Sequence, residues 1–135
     1  MKNRNLIADY LTRAEHRLKS VAVLLHEKSY ADVVRESQEL IELCLKALLR
    51  KANIDPPLRH DVSSILLENA SHLPQKLRSE VVTLAKISKK LRRDLELAFY
   101  GSEDLTPSEF YTEEDAKEAF KDAKWVVATC RGIIK

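Results

Sequence analysis

Apolar residues return at intervals of three and four along most of this chain, and that spacing dictates helices that each bury one side. From Leu6 to Leu25 the row is Leu6, Ile7, Tyr10, Leu11, Ala14, Leu18, Val21, Ala22 and Leu25, which predicts one long amphipathic helix. A second row runs Val33, Val34, Ser37, Leu40, Ile41, Cys44, Leu45, Leu48 and Leu49. It begins just after Ser29, a residue suited to cap a helix, with Asp32 three positions on. The short connection between the two rows predicts antiparallel packing. With 44% hydrophobic and 33% charged residues but only two Gly and four Pro in 135, the composition favours long helices over a turn-rich sheet protein or a disordered chain. The expected class is all-α, as one domain over residues 1–135.

The breakers divide the rest. Pro56 and Pro57 lack amide donors and stop the second helix over Asn53 to Pro57. Asp61 is placed to cap a short helix from Val62 to about Ala70. Pro74 fits the first turn of a fourth helix that runs to Tyr100 and ends at Gly101. Its apolar face is Leu77, Val81, Leu84, Ile87, Leu91, Leu95 and Ala98, with Phe99 at the edge. Residues 102–111 form a polar connection with a proline and two aromatics, expected to fold over the bundle. Thr112 with Asp115 caps a last helix whose face is Ala116, Ala119, Phe120, Ala123, Val126, Val127, Cys130 and Ile134.

Charge and chemistry are less generous. The 23 basic and 21 acidic residues leave a net charge of +2, so any site for a polyanion must be local. Cys44 and Cys130 belong to no Cys-x-x-Cys pair and read as free core thiols of a reducing compartment. The N-terminal residues meet charge within every turn, too often for a signal peptide or membrane span, so a cytoplasmic protein with no membrane association is expected. No His, Cys and carboxylate cluster has metal-ligand spacing, and there is no glycine-rich phosphate loop or nucleophile elbow. No metal or other cofactor is expected.

The chemistry concentrates in the fourth helix. Lys86, Lys89, Lys90 and Arg93 lie at i, i+3, i+4 and i+7, so a regular helix stacks four cations on one side. Such a stripe fits either a solvated outer face or a surface that tracks phosphates. Arg93 also shares a face with Glu96 and Tyr100, either as an ion-pair and hydrogen-bonding set or as part of a ligand site. Arg93 can hold a phosphate bidentately and Tyr100 can donate a hydrogen bond to it.

Residues 91–101, LRRDLELAFYG, resemble the ribonuclease signature of the HEPN superfamily, in which an Arg and a polar residue are followed by three variable positions, His, one variable position and Tyr. Arg93, Asp94 and Tyr100 fall on that pattern, and Ala98 occupies the histidine's place. Tyr30 and Ala31, then Gln38, Glu42, Lys46, Ala47, Leu48 and Leu49, are similar to the family's second helix. Pro57 with His60 and Asp61 resembles its entry to the short middle helix, and the tail from Phe99 to Val127 is similar to its closing loop and helix. The resemblance runs from about residue 10 to the end. It implies an up-and-down bundle of four long helices plus a short one, commonly a symmetric homodimer, often encoded beside a minimal nucleotidyltransferase.

Cleavage of RNA without metal needs a group to take the 2′-OH proton, one to protonate the leaving oxygen and a cation for the phosphorane. Ala98 can do no proton chemistry. The resemblance therefore implies a protein that binds RNA or nucleotide phosphate, or a nucleotidyltransferase partner, and cleaves poorly. In that role Arg93 anchors phosphate, Tyr100 hydrogen-bonds it, Asp94 orients Arg93, and Lys86, Lys89 and Lys90 steer. The enzyme alternative is a toxin-like, metal-independent endoribonuclease of a toxin–antitoxin pair in which Tyr100 or His60 replaces the missing group. The third is a purely structural interaction module.

Overall fold

The computed structural model describes residues 2–56, 62–73, 75–100 and 106–134, with side chains throughout these except at 2–3, 76–77 and 91–100. Its long helices are α1 (Lys2–His26), α2 (Tyr30–Lys51), α5 (Val81–Tyr100) and α7 (Glu113–Ile134). Between them lie α3 (Val62–Glu68), a 3-10 turn at Ala70–His72, and two single-turn helices, α4 (Gln75–Arg78) and α6 (Pro107–Phe110). No strand occurs among the described residues. The helices expected from the periodicity, and the all-α bundle that the resemblance implies, are observed, with α4 and α6 as further single-turn helices.

α2 is the central helix. It packs against α1, α7, α5 and α3, while α1 also packs on α7. All nine residues expected on its inner face are buried, and Ala31, Gln38 and Ala47 join them. That wide buried arc follows from having neighbours on several sides, whereas an outer helix buries one stripe. Among the described side chains of α1, Ile7, Ala14 and Val21 are buried, and the expected Ala22 is exposed.

Two helices end by the same device. Lys28 takes φ 63° and Asn53 φ 61°, the left-handed conformation that reverses the chain after a helix. Ser29 N then donates to Leu24 O at 2.9 Å, and Ile54 N to Leu49 O at 2.9 Å. Ser29 stands at the N-cap of α2 as expected, yet its side chain caps no backbone amide. The hydroxyl donates instead to Asp32 Oδ2 at 2.6 Å.

The fourth helix departs from the expected continuous run. After α4 a turn at Ser79–Glu80 interrupts it, and α5 starts afresh at Val81. Arg78, at the end of α4, turns back to the segment before it, donating from Nη2 to Ser71 O at 2.8 Å and from Nε to Leu73 O at 3.3 Å. The short helix also stops earlier than expected, at Glu68, where the chain tightens into the 3-10 turn. Pro57, His60, Asp61, Pro74 and Gly101 lie outside the described residues, so their expected roles do too.

The connection before α7 does fold onto the bundle where it is described. Thr106 and Glu109 form a capping box for α6, and Tyr111 is buried against the core while Phe110 stays partly exposed. Thr112 caps α7 as expected: Thr112 N donates to Asp115 Oδ2 at 2.9 Å, and Asp115 N to Thr112 Oγ1 at 3.2 Å. Glu113, Glu114 and Asp115 also place negative charge at the positive end of the helix dipole. Cys44 of α2 and Cys130 of α7 are both buried free thiols. The hydrogen bond with Cys44, and then burial, hold the Cys130 thiol well above its ordinary range, so it stays protonated and inert.

Candidate functional site

α5 buries Val81, Leu84, Ala85 and Ser88, which share one side of the helix. Val82, Lys86 and Lys89 are exposed. At about 100° per residue, positions 93 and 100 fall in the same angular sector as 82, 86 and 89. Position 98 belongs to a different row, continuing Ile87, Leu91 and Asp94. The backbone of α5 is helical through Tyr100, so this register carries across the signature. The side chains of Arg93, Asp94, Glu96, Ala98 and Tyr100 lie outside the described ones.

The four-cation stripe is not uniform. Lys90 Nζ reaches across to α7 and meets Glu118 Oε1 at 2.5 Å, with both side chains partly exposed. Lys86 and Lys89 form no ion pair among the described residues. The expected steering set thus divides into two exposed lysines and one engaged in holding α5 to α7.

The acidic partner of Lys90 is a feature that the helix-by-helix reading missed. Asp115, Glu118 and Asp122 line a small cavity with Lys90, Phe110 and Tyr111. Burial raises the Asp122 carboxyl above its ordinary value of 3.8 and Glu118 pushes it the same way, while Lys90 and Lys121 pull it back in part. The spacing of these acids was visible, but which helix they face is settled only by packing.

The sign of that shift gives a test. A carboxyl whose folded pKa exceeds its unfolded value costs stability once ionised, a cost fully present above the folded pKa and absent below the unfolded one. Asp122→Asn is therefore expected to raise the denaturant midpoint at pH 7, by less than ~1 kcal/mol because the site is partly exposed. The gain should vanish by about pH 3. A loss at pH 7 would mean that the attraction to Lys90 and Lys121 outweighs burial.

Gln38, one of the residues similar to the family's second helix, is fully buried. Its amide donates to Glu42 Oε1 at 2.9 Å, while its carbonyl oxygen is buried without a hydrogen-bond partner. Lys46 is half-buried. Among the described residues no group of His, Cys, Asp and Glu could hold a metal ion, and no helix is long and apolar enough to cross a membrane.

A helical bundle with this central helix and an Arg, Asp and Tyr series on α5 defines a class of small all-α domains. The HEPN domain model matches residues 7–133, and the chain belongs to the HEPN family. It is 27% identical over 133 residues to "Putative toxin MJ1304" of Methanocaldococcus jannaschii, an alignment covering 93% of this chain and 86% of that protein. No solved structure matches.

Proposed function

We propose that this chain is a HEPN protein that binds the phosphate groups of single-stranded RNA or nucleotides through α5 and cleaves RNA inefficiently. The observation that carries the reading is one side of one helix. Exposed Lys86 and Lys89 share a sector with positions 93 and 100, where Arg93 and Tyr100 stand, while position 98 holds Ala. Lys89 and Lys86 supply long-range attraction, Arg93 the bidentate anchor and Tyr100 a hydrogen bond. Asp94 orients Arg93. Lys90, already paired with Glu118, contributes less than its place in the sequence suggests.

The working form is a cytoplasmic homodimer in which two α5 faces make one groove, and a minimal nucleotidyltransferase is its protein partner. Fluorescence anisotropy with a labelled single-stranded RNA at low salt tests the binding. Arg93→Ala with Lys89→Ala should weaken it, and should reduce the slope of log affinity against log salt by about 1.4, near 0.7 per lost phosphate contact. Unchanged affinity and slope in the folded double variant would remove α5 as the interface.

A second reading is a toxin that cleaves RNA, favoured by the name of the Methanocaldococcus jannaschii relative. Cleavage in EDTA by the unsubstituted chain, abolished by Arg93→Ala, would place it first. Tyr100 or His60 would then supply the proton transfer.

A further inference from the structure

A second surface lies on the other side of α2's contacts, in the groove between α1 and α2. The groove measures about 810 Å³, and its lining among the described residues comes from those two helices. Its apolar part is Leu24 with Val23, and Val23 is 61% exposed, the most exposed large apolar side chain described. An exposed valine in a concave surface loses solvent when a partner's apolar face covers it.

The charges around that apolar strip favour one sign. Arg13, Arg17 and Arg35 line the groove against two carboxylates, Asp32 and Glu36. Both carboxylates are already engaged, Glu36 by Arg17 Nη1 at 2.8 Å and Asp32 by the Ser29 hydroxyl at 2.6 Å. Arg13, half exposed, has only a 4.0 Å approach to Asp9. The groove therefore offers positive charge at its Arg13 end and apolar surface at its Val23 end.

A nucleic-acid strand fits this surface poorly. Among the described lining residues His16 alone offers a ring to stack a base, the two carboxylates repel phosphates, and a phosphodiester backbone gains nothing over Val23 and Leu24. A helix fits better. From Arg13 to Leu24 the α1 wall is about 16 Å long at roughly 1.5 Å per residue, room for three helical turns. Helices that lie in such grooves present apolar residues at i, i+3, i+4 and i+7 and flank them with complementary charge.

We propose that the α1–α2 groove docks one amphipathic helix of a protein partner, apolar towards Val23 and Leu24 and acidic on the flank that meets Arg13. Three turns are marginal as a free helix, so the partner presents the segment from a folded domain or orders it on binding. The site is separate from the α5 face, and loss of RNA binding in α5 variants leaves it untouched.

The test is a photo-crosslinking amino acid, benzoylphenylalanine, placed at exposed Ser20 of the full chain in its native cells, with the adduct sequenced by mass spectrometry. The expected adduct is a protein segment with helix-spaced apolar residues and an excess of Asp and Glu. Val23→Asp should reduce it roughly tenfold, the loss typical of burying a charge at a contact centre. Arg13→Glu should also reduce it, and reports independently if Val23→Asp unfolds the chain. RNA binding by both variants should remain as in the unsubstituted protein. Adducts to a second copy of this chain, nuclease-sensitive adducts, a segment without acidic excess, adducts indifferent to both substitutions, or no adduct would each overturn the proposal.

Discussion

Ala98→His is expected to raise metal-independent cleavage of single-stranded RNA by about 10²- to 10⁴-fold, the range that a positioned general acid or base contributes. The substitution completes the series begun by Arg93 and Asp94 and ended by Tyr100. On a regular helix the Cβ atoms of residues 93 and 98 are about 10 Å apart. A guanidinium and an imidazole reach towards each other across that gap, so both can address one phosphate from the same helix. A neutral imidazole takes the 2′-OH proton near pH 7 and the Arg93 cation stabilises the charge that builds on phosphorus. The assay is cleavage of a labelled oligonucleotide in EDTA, with Ala98→His/Arg93→Ala as the control that must lose the gain. A folded Ala98→His protein no more active than the parent would show that α5 does not assemble the ribonuclease geometry here, and that the Arg and Tyr serve another purpose.

That experiment bears on the family's chemistry because the fold beneath it was largely legible. Four long helices could be read from apolar spacing, and the Thr112 and Asp115 cap from two residue types at the right separation, since both depend on contacts within a few residues. What escaped the sequence depends on neighbours. Gln38 is fully buried in α2 although nothing about a glutamine predicts it. The break at Ser79–Glu80 carries no Gly or Pro, and Arg78 just before it reaches back to carbonyls on a preceding turn.

The candidate site could be written from the sequence as a list and not as an arrangement. Helical spacing puts Lys86, Lys89, Lys90 and Arg93 on one side, but it cannot reveal that α7 approaches near Lys90 and presents Glu118 to it. One charge of the stripe is thereby turned from a ligand contact into an interhelical tie. The same limit applies to the α1–α2 groove. Val23 reads as one more apolar residue in a helix, and only the packing of α1 on α2 leaves it outward beside three arginines.

Leu45→Ala is expected to destabilise the fold by about 2 to 5 kcal/mol, the range for removing a large aliphatic side chain from a core that closes only partly around the void. Leu45 is fully buried on α2, the helix shared by α1, α3, α5 and α7, so relaxation to fill the space would have to move several elements at once. Against a total stability of about 5–15 kcal/mol for a domain, that loss takes a large share. Val82→Ala provides the contrast: Val82 is 55% exposed on α5, and its removal should change stability by less than ~0.5 kcal/mol. Urea titration followed by circular dichroism measures both. A Leu45→Ala effect below ~1 kcal/mol would mean that α2 is not the hub of the bundle. Equal effects at the two positions would mean that burial does not rank them, and with it would fall the register that sets Lys86 and Lys89 on the open side of α5 and position 93 in their sector.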